Sequence, residues 1–445
     1  MPLNQPGNPG LTATATDGMW PSNDPPPLSQ PTLSFTQASP ERYLPNGSGP
    51  RKLRVALYSH DTMGMGHMRR NLLISQALSY SSLQTSILMV AGARQAGVAQ
   101  MPPGVDCVTL PALHKQSNGR YLSRSLDIPI QDLTRMRAQM IRASIAAFNP
   151  DIFIVDNVPR GALGELDATL SDIRRRGHTT CVLGLRDVLD EPVQVQSEWR
   201  KANNEQTIRD FYHKVWIYGD PRIYDAVREY RLPSDIADKV SYTGYFDRRT
   251  LLQYNAGHDA KRQVAELGLP EGRFALCMVG GGQDGARLTK AFAFAKLPAD
   301  IFGVIVTGPF MPAQQRAELH RIAATRSNLK VLEFVNEPTW LLNRADYVIA
   351  MGGYNIISEI LSFEKHALIV PRVSPRQEQL VRAERLKTLG LVDIAHPEHV
   401  TSAQLSAWLD NAIRHPSKPS VHAQFDFNGL SRLPGLVTEV RWLTQ

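Results

Sequence analysis

The chain has 445 residues, 42% of them hydrophobic, with 31 glycines and three cysteines (Cys107, Cys181 and Cys277). That supplies two or three cores and excludes a wholly disordered chain, a disulfide framework and a cysteine-based zinc site. The 49 basic and 42 acidic side chains give +7 and a pI near 9.3, a surplus that suits nucleotide phosphates or an anionic membrane face.

No run of 18 apolar residues occurs, so a bilayer-spanning helix is excluded. The N-terminus lacks a basic segment followed by an apolar one, which argues against a secretory signal and for a reducing cytoplasm. The basic residues are scattered, without an aromatic-interleaved stripe, so no nucleic-acid partner is expected. One short run, Arg174, Arg175 and Arg176, precedes Gly177 and reads as a solvated helix C-terminus.

Residues 1–50 hold 11 prolines and five glycines but four charged side chains, a composition that predicts a disordered tail. An apolar run at 55–59 then opens a series of strands (86–91, 151–155, 180–185, 215–218) alternating with helical stretches at 69–78 and 133–148. Leu72, Leu73, Gln76 and Ala77 are spaced for a buried face on the first helix. The same grammar restarts with strands at 274–279, 302–306, 330–334, 347–350 and 367–370, and helices at 353–363 and 378–389. A polar helix is expected at about 258–267. Strand and helix at this pitch predict parallel sheets covered on both faces. The fold expected is α/β, with two tandem Rossmann-like domains at 51–245 and 246–420 facing across a cleft. A terminal segment, 421–445, with Leu436, Val437, Val440 and Leu443 near helical spacing, packs back on either one.

Three glycine loops follow predicted strands, where helix-start amides can meet a phosphate. They run 61–67 (with Gly64, Gly66 and His67), 280–285 (with Gly281, Gly282 and Gln283) and 351–355 (with Gly353). A dinucleotide fingerprint fails at the first, because its third position is Arg69. It fails at the second for want of an acidic strand end near 305. No Gly-Lys-Ser/Thr follows any glycine run, which excludes a Walker loop.

Several stretches, in one order over about 150 residues, carry a resemblance: Thr243-Gly-Tyr-Phe-Asp-Arg248, Gly281-Gly-Gln-Asp-Gly-Ala-Arg287, Leu332-Glu-Phe-Val335, Gly353-Tyr-Asn-Ile-Ile-Ser-Glu359 and Arg376-Gln-Glu-Gln379. The C-terminal half resembles the nucleotide-sugar domain of GT-B glycosyltransferases of family 28, such as the peptidoglycan lipid-intermediate N-acetylglucosaminyltransferases. The whole chain looks still more like a group of predicted bacterial glycosyltransferases that open with Ser-His-Asp…Gly-x-Gly-His-x-Arg-Arg, here Ser59 to Arg70. The resemblance implies an inverting transfer from a UDP-sugar to an acceptor hydroxyl, with a lipid-linked or cell-envelope glycan as one candidate. It places Glu359 on the ribose and Phe334 and Val335 on the uracil. Gly281, Gly282, Gln283 and Arg248 fall on the diphosphate, and Glu378 and Gln379 on the transferred sugar. The relative carries two glutamines at the last pair, so the acid at 378 puts N-acetylglucosamine in doubt.

With no Asp-x-Asp motif in the chain, leaving-group charge falls to helix-start amides and Arg248, and no metal is expected to be required. His67 is the first candidate for general base, since imidazole titrates near neutrality. Asp156 and Asp187, at strand ends, are alternatives for the base or hold loops. The segment 120–148, with Arg124, Arg135, Arg137 and Arg142 among Met136, Met140, Ile141 and Ile145, either rests on an anionic membrane at its inner face or packs on the sheet. A nucleotide-sugar 2-epimerase and a non-catalytic nucleotide-sugar binder are the competing functions.

Overall fold

The β-branched and aliphatic runs form strands that are buried on both faces, as parallel sheets require. The computed structural model describes residues 51–62, 65–116, 120–254, 266–269, 271–335, 338–416, 419–441 and 443. The tail at 1–50, Gly64 and most of the polar helix expected at 258–267 lie outside the described residues. All of the architecture below belongs to one compact unit, Lys52–Gln445.

The first sheet holds β1 (Leu53–Ser59), β2 (Thr85–Ala91), β3 (Val105–Thr109), β6 (Ile152–Asp156), β7 (Thr180–Arg186), β8 (Lys214–Tyr218) and β9 (Val240–Tyr242). Between them β4 (Leu113–Lys115) and β5 (Tyr121–Ser123) pair as a separate antiparallel hairpin. The seven strands lie in the order β3-β2-β1-β6-β7-β8-β9, all parallel. The second sheet runs β12 (Leu329–Leu332), β11 (Ile301–Val306), β10 (Arg273–Met278), β13 (Tyr347–Ala350), β14 (His366–Ile369) and β15 (Asp393–Ile394), again all parallel. Each sheet therefore reverses direction beside its first strand, between β1 and β6 and between β10 and β13. A crevice for ligand opens at that point, beyond the carboxyl ends.

The strands read from sequence are present to within two residues. The expected strand at 330–334 stops at Leu332, leaving Phe334 and Val335 in the following loop. On the helix Gly66–Ser79 the buried face is carried by Met68, Arg70, Asn71, Leu73, Ile74, Ser75, Ala77 and Leu78, while Leu72 and Gln76 are only half-buried. The face is rotated because two polar side chains, Arg70 and Asn71, turn inward. The last helix, Gly429–Arg441, packs on that same helix and on β6, and Thr180 Oγ1 donates to the Val440 carbonyl at 3.1 Å. It buries Leu433, Val437 and Val440, whereas Leu443 is exposed.

Three of the four arginines lie on the helix Ile130–Phe148, whose Leu133, Ile141 and Ile145 are buried, while Arg124 precedes it and donates to the Thr62 carbonyl at 2.9 Å. Arg137 is fully buried on Glu165, Arg142 pairs with Asp172, and Arg135 with Asp132. These cations are engaged within the chain, as expected of a helix packed on its own sheet. The run Arg174–Arg176 ends the helix Asp167–Arg176, capped by left-handed Gly177 (φ 75°). All three cysteines are free thiols. Among the described residues no helix is long and apolar enough to cross a membrane.

Candidate active site between the two sheets

A cavity of about 710 Å³ opens where the carboxyl ends of the two sheets meet. Its first wall is built on the β1 and β6 ends. After β1 the chain turns through Asp61 (φ 43°), whose carboxylate accepts from Ser59 Oγ at 2.6 Å and from the Met68 amide at 2.8 Å. Burial raises the Asp61 carboxyl above its usual range. That anchor starts the helix Gly66–Ser79 with His67 on its first turn, facing the cavity and 21% exposed.

Asp156, the last residue of β6, has no exposed surface. His67 Nδ1 lies 2.6 Å from Asp156 Oδ2. Arg70, one turn along the same helix, donates to both Asp156 oxygens, with Nη2 at 2.6 and 2.7 Å and Nε at 2.9 Å. Burial pushes the Asp156 carboxyl up, but Arg70 and His67 outweigh it and hold the group at about 2. Arg70 Nη2 also lies 3.1 Å from His67 Nδ1; the tautomer with its proton on Nδ1 donates to the Asp156 carboxylate and presents Nε2 as an acceptor. Arg70 is in turn flanked by Tyr218 of the first lobe and Tyr354 of the second, 5.5 and 5.2 Å from the ring centres. Asp156 therefore orients and polarises His67 and is itself too deep to meet a substrate. His60 packs its ring 4.6 Å from that of His67, and burial holds its imidazole well below the usual value.

Asp187, the other carboxylate at a strand end, is not part of the cavity wall. It is fully buried, receives the Tyr245 hydroxyl at 2.7 Å and is clamped by Arg382 Nη2 at 2.7 Å. Arg382 belongs to the helix Glu378–Thr388 of the second lobe, so of the two roles expected for Asp187, base or structural acid, its placement fits the second, as an inter-lobe tie. Arg376 adds to it on Asp190 and Glu198, and Arg385 on Glu229.

The second wall is glycine-rich. Gly280 and Gly281, after β10, line the cavity together with Gly308 and Phe310, after β11. The two loops nest so closely that a Cβ on Gly308 (φ +79°) would stand 2.1 Å from the Gly280 carbonyl oxygen. One on Gly282 (φ +92°) would stand 2.1 Å from that of Thr307. Gly282 thus shapes the loop rather than lining it, and Gln283 is exposed outside the cavity. Phe334 (43% exposed) and Val335 line the cavity, as do Gly353, at the start of the helix Tyr354–Ser362, and Glu378 and Gln379. Gly66 lines the facing wall, and its carbonyl accepts from Asn355 Nδ2 at 3.0 Å.

Two expected donor contacts are placed differently. Arg248 is fully buried behind the third glycine loop, where Nη2 donates to Asn355 Oδ1 at 2.8 Å, and it does not line the cavity. Glu359 also has no exposed surface, and Arg69 Nη2 of the first lobe reaches its Oε1 at 3.1 Å. Glu378 is buried but lines the cavity, with Arg372 donating to its Oε1. Burial raises its carboxyl, yet Arg186, Arg372 and Arg382 more than compensate and hold it below the usual range. Gln379 Oε1 accepts from the Arg372 amide at 3.1 Å. Among the described residues no group of three or more His, Cys, Asp or Glu side chains is placed to hold a metal ion.

Sequence reasoning passed over Arg69, Arg70 and Arg382. The first two stand in the opening signature just beyond His67, and spacing alone marked Arg70: on a helix, positions 67 and 70 share a face. Gly308 and Arg382 carried no such signal, because their partners are distant in the chain.

Residues 276–426 match the model of the glycosyltransferase family 28 C-terminal domain. A UDP-N-acetylglucosamine–N-acetylmuramyl-(pentapeptide) pyrophosphoryl-undecaprenol N-acetylglucosamine transferase of Sulfurihydrogenibium sp. is 27% identical over 176 residues, 38% of this chain and 47% of that protein. One of the same name from Geobacillus kaustophilus is 27% identical over 179 residues, covering 38% and 46%. The chain thus spans about half the length of the curated relatives it matches. In structure it is similar to Acinetobacter baumannii MurG (TM-score 0.53, 14% identity, covering 87% of this chain and 99% of that one). It is also similar to UDP-GlcNAc 2-epimerase from Neisseria meningitidis (TM-score 0.57, 13% identity, covering 88% and 99%). At such identities the structural likeness establishes the fold: the chain has the GT-B fold, and its residues 276–426 are similar to the glycosyltransferase family 28 C-terminal domain.

Proposed function

We propose that the protein transfers a sugar, with inversion and without a metal, from a UDP-sugar to the hydroxyl of an acceptor. The observation that carries the reading is the buried Asp156 fixing His67 at 2.6 Å, with Nε2 left over, across one cavity from the glycine loops of the family 28 domain. On this reading the lobes divide the work as 51–245 for the acceptor and 246–420 for the donor. The base lies with Phe334 and Val335 and the phosphates with the amides at Gly280, Gly281 and Gly353. The sugar lies with Glu378 and Gln379.

The acceptor oxygen attacks the anomeric carbon as its proton passes to His67 Nε2. The bond from that carbon to the phosphate oxygen breaks, and its electron pair leaves with UDP. Asp156 stabilises the imidazolium that forms, as a buried carboxylate can at a distance of one hydrogen bond. Names of the curated relatives support a lipid-linked acceptor, and hence contact with the inner face of a membrane in the cytoplasm.

The test is incubation with a panel of UDP-sugars, with and without chelator. Release of UDP that persists in chelator supports metal-independent transfer, and loss of activity restored by manganese overturns that part. An isomerised sugar with no UDP release would instead make the protein an epimerase, and uptake without either product a binder.

A further inference from the structure

The transfer proposed above puts charge on a departing diphosphate, and the cation expected to meet it, Arg248, lies buried behind the third loop. Most cations of the cavity wall are committed elsewhere. Arg70 is locked on Asp156, Arg160 on Asp167, Arg376 on Asp190 and Glu198, and Arg372 on Glu378. Lys115 and Arg186 stand at the sugar end, where Arg376 and Glu378 act on them.

Arg69 differs. It follows His67 by two positions, lines the cavity and is 19% exposed, yet its guanidinium crosses to the second lobe and covers Glu359 at 3.1 Å. Beside it Asn355, on the first turn after Gly353, donates across the same gap to Gly66. The carboxylate that the donor reading assigns to ribose is therefore shielded from the cavity by a first-lobe cation, next to the helix start that would face phosphate.

We infer that Arg69 is an exchange cation: it holds Glu359 in the empty protein, yields that carboxylate to the ribose hydroxyls when donor enters, and moves onto the diphosphate. The inference rests on the donor reading above. Neither charge is stranded by the exchange, since a carboxylate satisfied by hydroxyl donors and a guanidinium satisfied by phosphate oxygens each keep a charge-assisted hydrogen bond. When the bond to the anomeric carbon breaks and its electron pair settles on the terminal phosphate oxygen, Arg69 meets the added charge. Arg69 shares the first turns of a helix with His67, so the same displacement also links donor entry to the base.

Calorimetry of UDP and of uridine with the full chain, wild type against Arg69→Ala and Arg69→Lys, tests this. Arg69→Ala should weaken UDP about tenfold or more, the worth of one charged hydrogen bond, while uridine binds as well as before or better, its carboxylate no longer covered. Arg69→Lys should recover part of the UDP affinity. An equal loss of UDP and uridine in either variant, or unchanged UDP affinity in Arg69→Ala, overturns the exchange. Wild-type protein that takes up neither ligand overturns the donor reading as well, so the two failures are distinguishable.

Discussion

The two sheets share one strand order, and in each the loop after the first strand faces the cavity; what fills that loop is opposite in character. In the first lobe it delivers charge: Asp61 anchors the helix, and His67 and Arg70 converge on Asp156. In the second it delivers bare backbone, with Gly280 and Gly281 exposed to the cavity and Gly282 packed, like Gly308 of the neighbouring loop after β11, so tightly that side chains are excluded. One topology thus carries a wall of charged side chains and a wall of bare backbone, to which the proposed reading assigns proton transfer and diphosphate binding, and the difference lies in side chains placed at equivalent positions. Around the helix Glu378–Thr388 the second lobe contributes the cations Arg376, Arg382 and Arg385 and the first the acids Asp187, Asp190, Glu198 and Glu229, whereas Arg69 and Glu359 pair across the lobes with the signs reversed.

The sharpest way to break the comparison is to separate the walls. Arg382 and Asp187 are both without exposed surface, and Tyr245 also donates to Asp187. Removing one member of a buried pair leaves the other charge uncompensated, at a cost of about 3–5 kcal/mol. Arg382→Met is expected to lose that much in urea unfolding, whereas Arg385→Met, whose pair with Glu229 is half-exposed, should lose at most about 1 kcal/mol. Equal losses would mean that the lobes are held by something other than the buried tie.

Function separates the walls next. His67→Ala should lower turnover about 10²- to 10⁴-fold, the usual worth of a positioned general base, and leave UDP affinity unchanged in calorimetry. Conversely, Gly282→Ala forces a Cβ toward the Thr307 carbonyl from a left-handed backbone. It should cost about 1–3 kcal/mol of stability in thermal unfolding and weaken UDP, with turnover at saturating donor little changed. If His67→Ala weakened UDP, or Gly282→Ala left it intact, the division of labour would fail.

Much of this was legible in the residues, and the pattern of what was not has a physical cause. Periodicity located the buried strands of both sheets because parallel strands are apolar on both faces, while β3, β9 and β15, short or at sheet edges, have half-buried or mixed patterns and went unread. His67 and Asp156 were marked by strand ends and a glycine loop. Their pairing, 89 residues apart, was set by the adjacency of β1 and β6, which local sequence does not encode. For the same reason Asp187 read equally as a base or as an acid that holds loops, because Arg382, 195 residues on, which neutralises it, is not visible locally. Arg248 read as a phosphate contact although the fold folds it beneath Asn355. Residue type announces which groups carry charge, and topology decides whether a charge faces the ligand or another side chain.

The smallest effect tests whether the second wall is as free of charge chemistry as the comparison implies. Among the described residues Glu378 is its one acid at the cavity, and Arg186, Arg372 and Arg382 hold it ionised. Glu378→Gln preserves size and a hydrogen-bonding oxygen but removes the negative charge, leaving Arg372 with Asp284 at 3.4 Å as its remaining acidic partner among the described residues. Because that guanidinium is partly exposed and keeps a partner, stability should change by about 1 kcal/mol or less. The effect belongs instead to sugar choice: a carboxylate accepts only, whereas an amide both donates and accepts, so the hydroxyls it suits differ. UDP affinity should be unchanged, while the ranking of UDP-sugars by kcat/KM should shift by about tenfold between epimeric donors. A ranking that stayed fixed would detach Glu378 from the sugar and leave it as a structural counter-ion for the arginines around it.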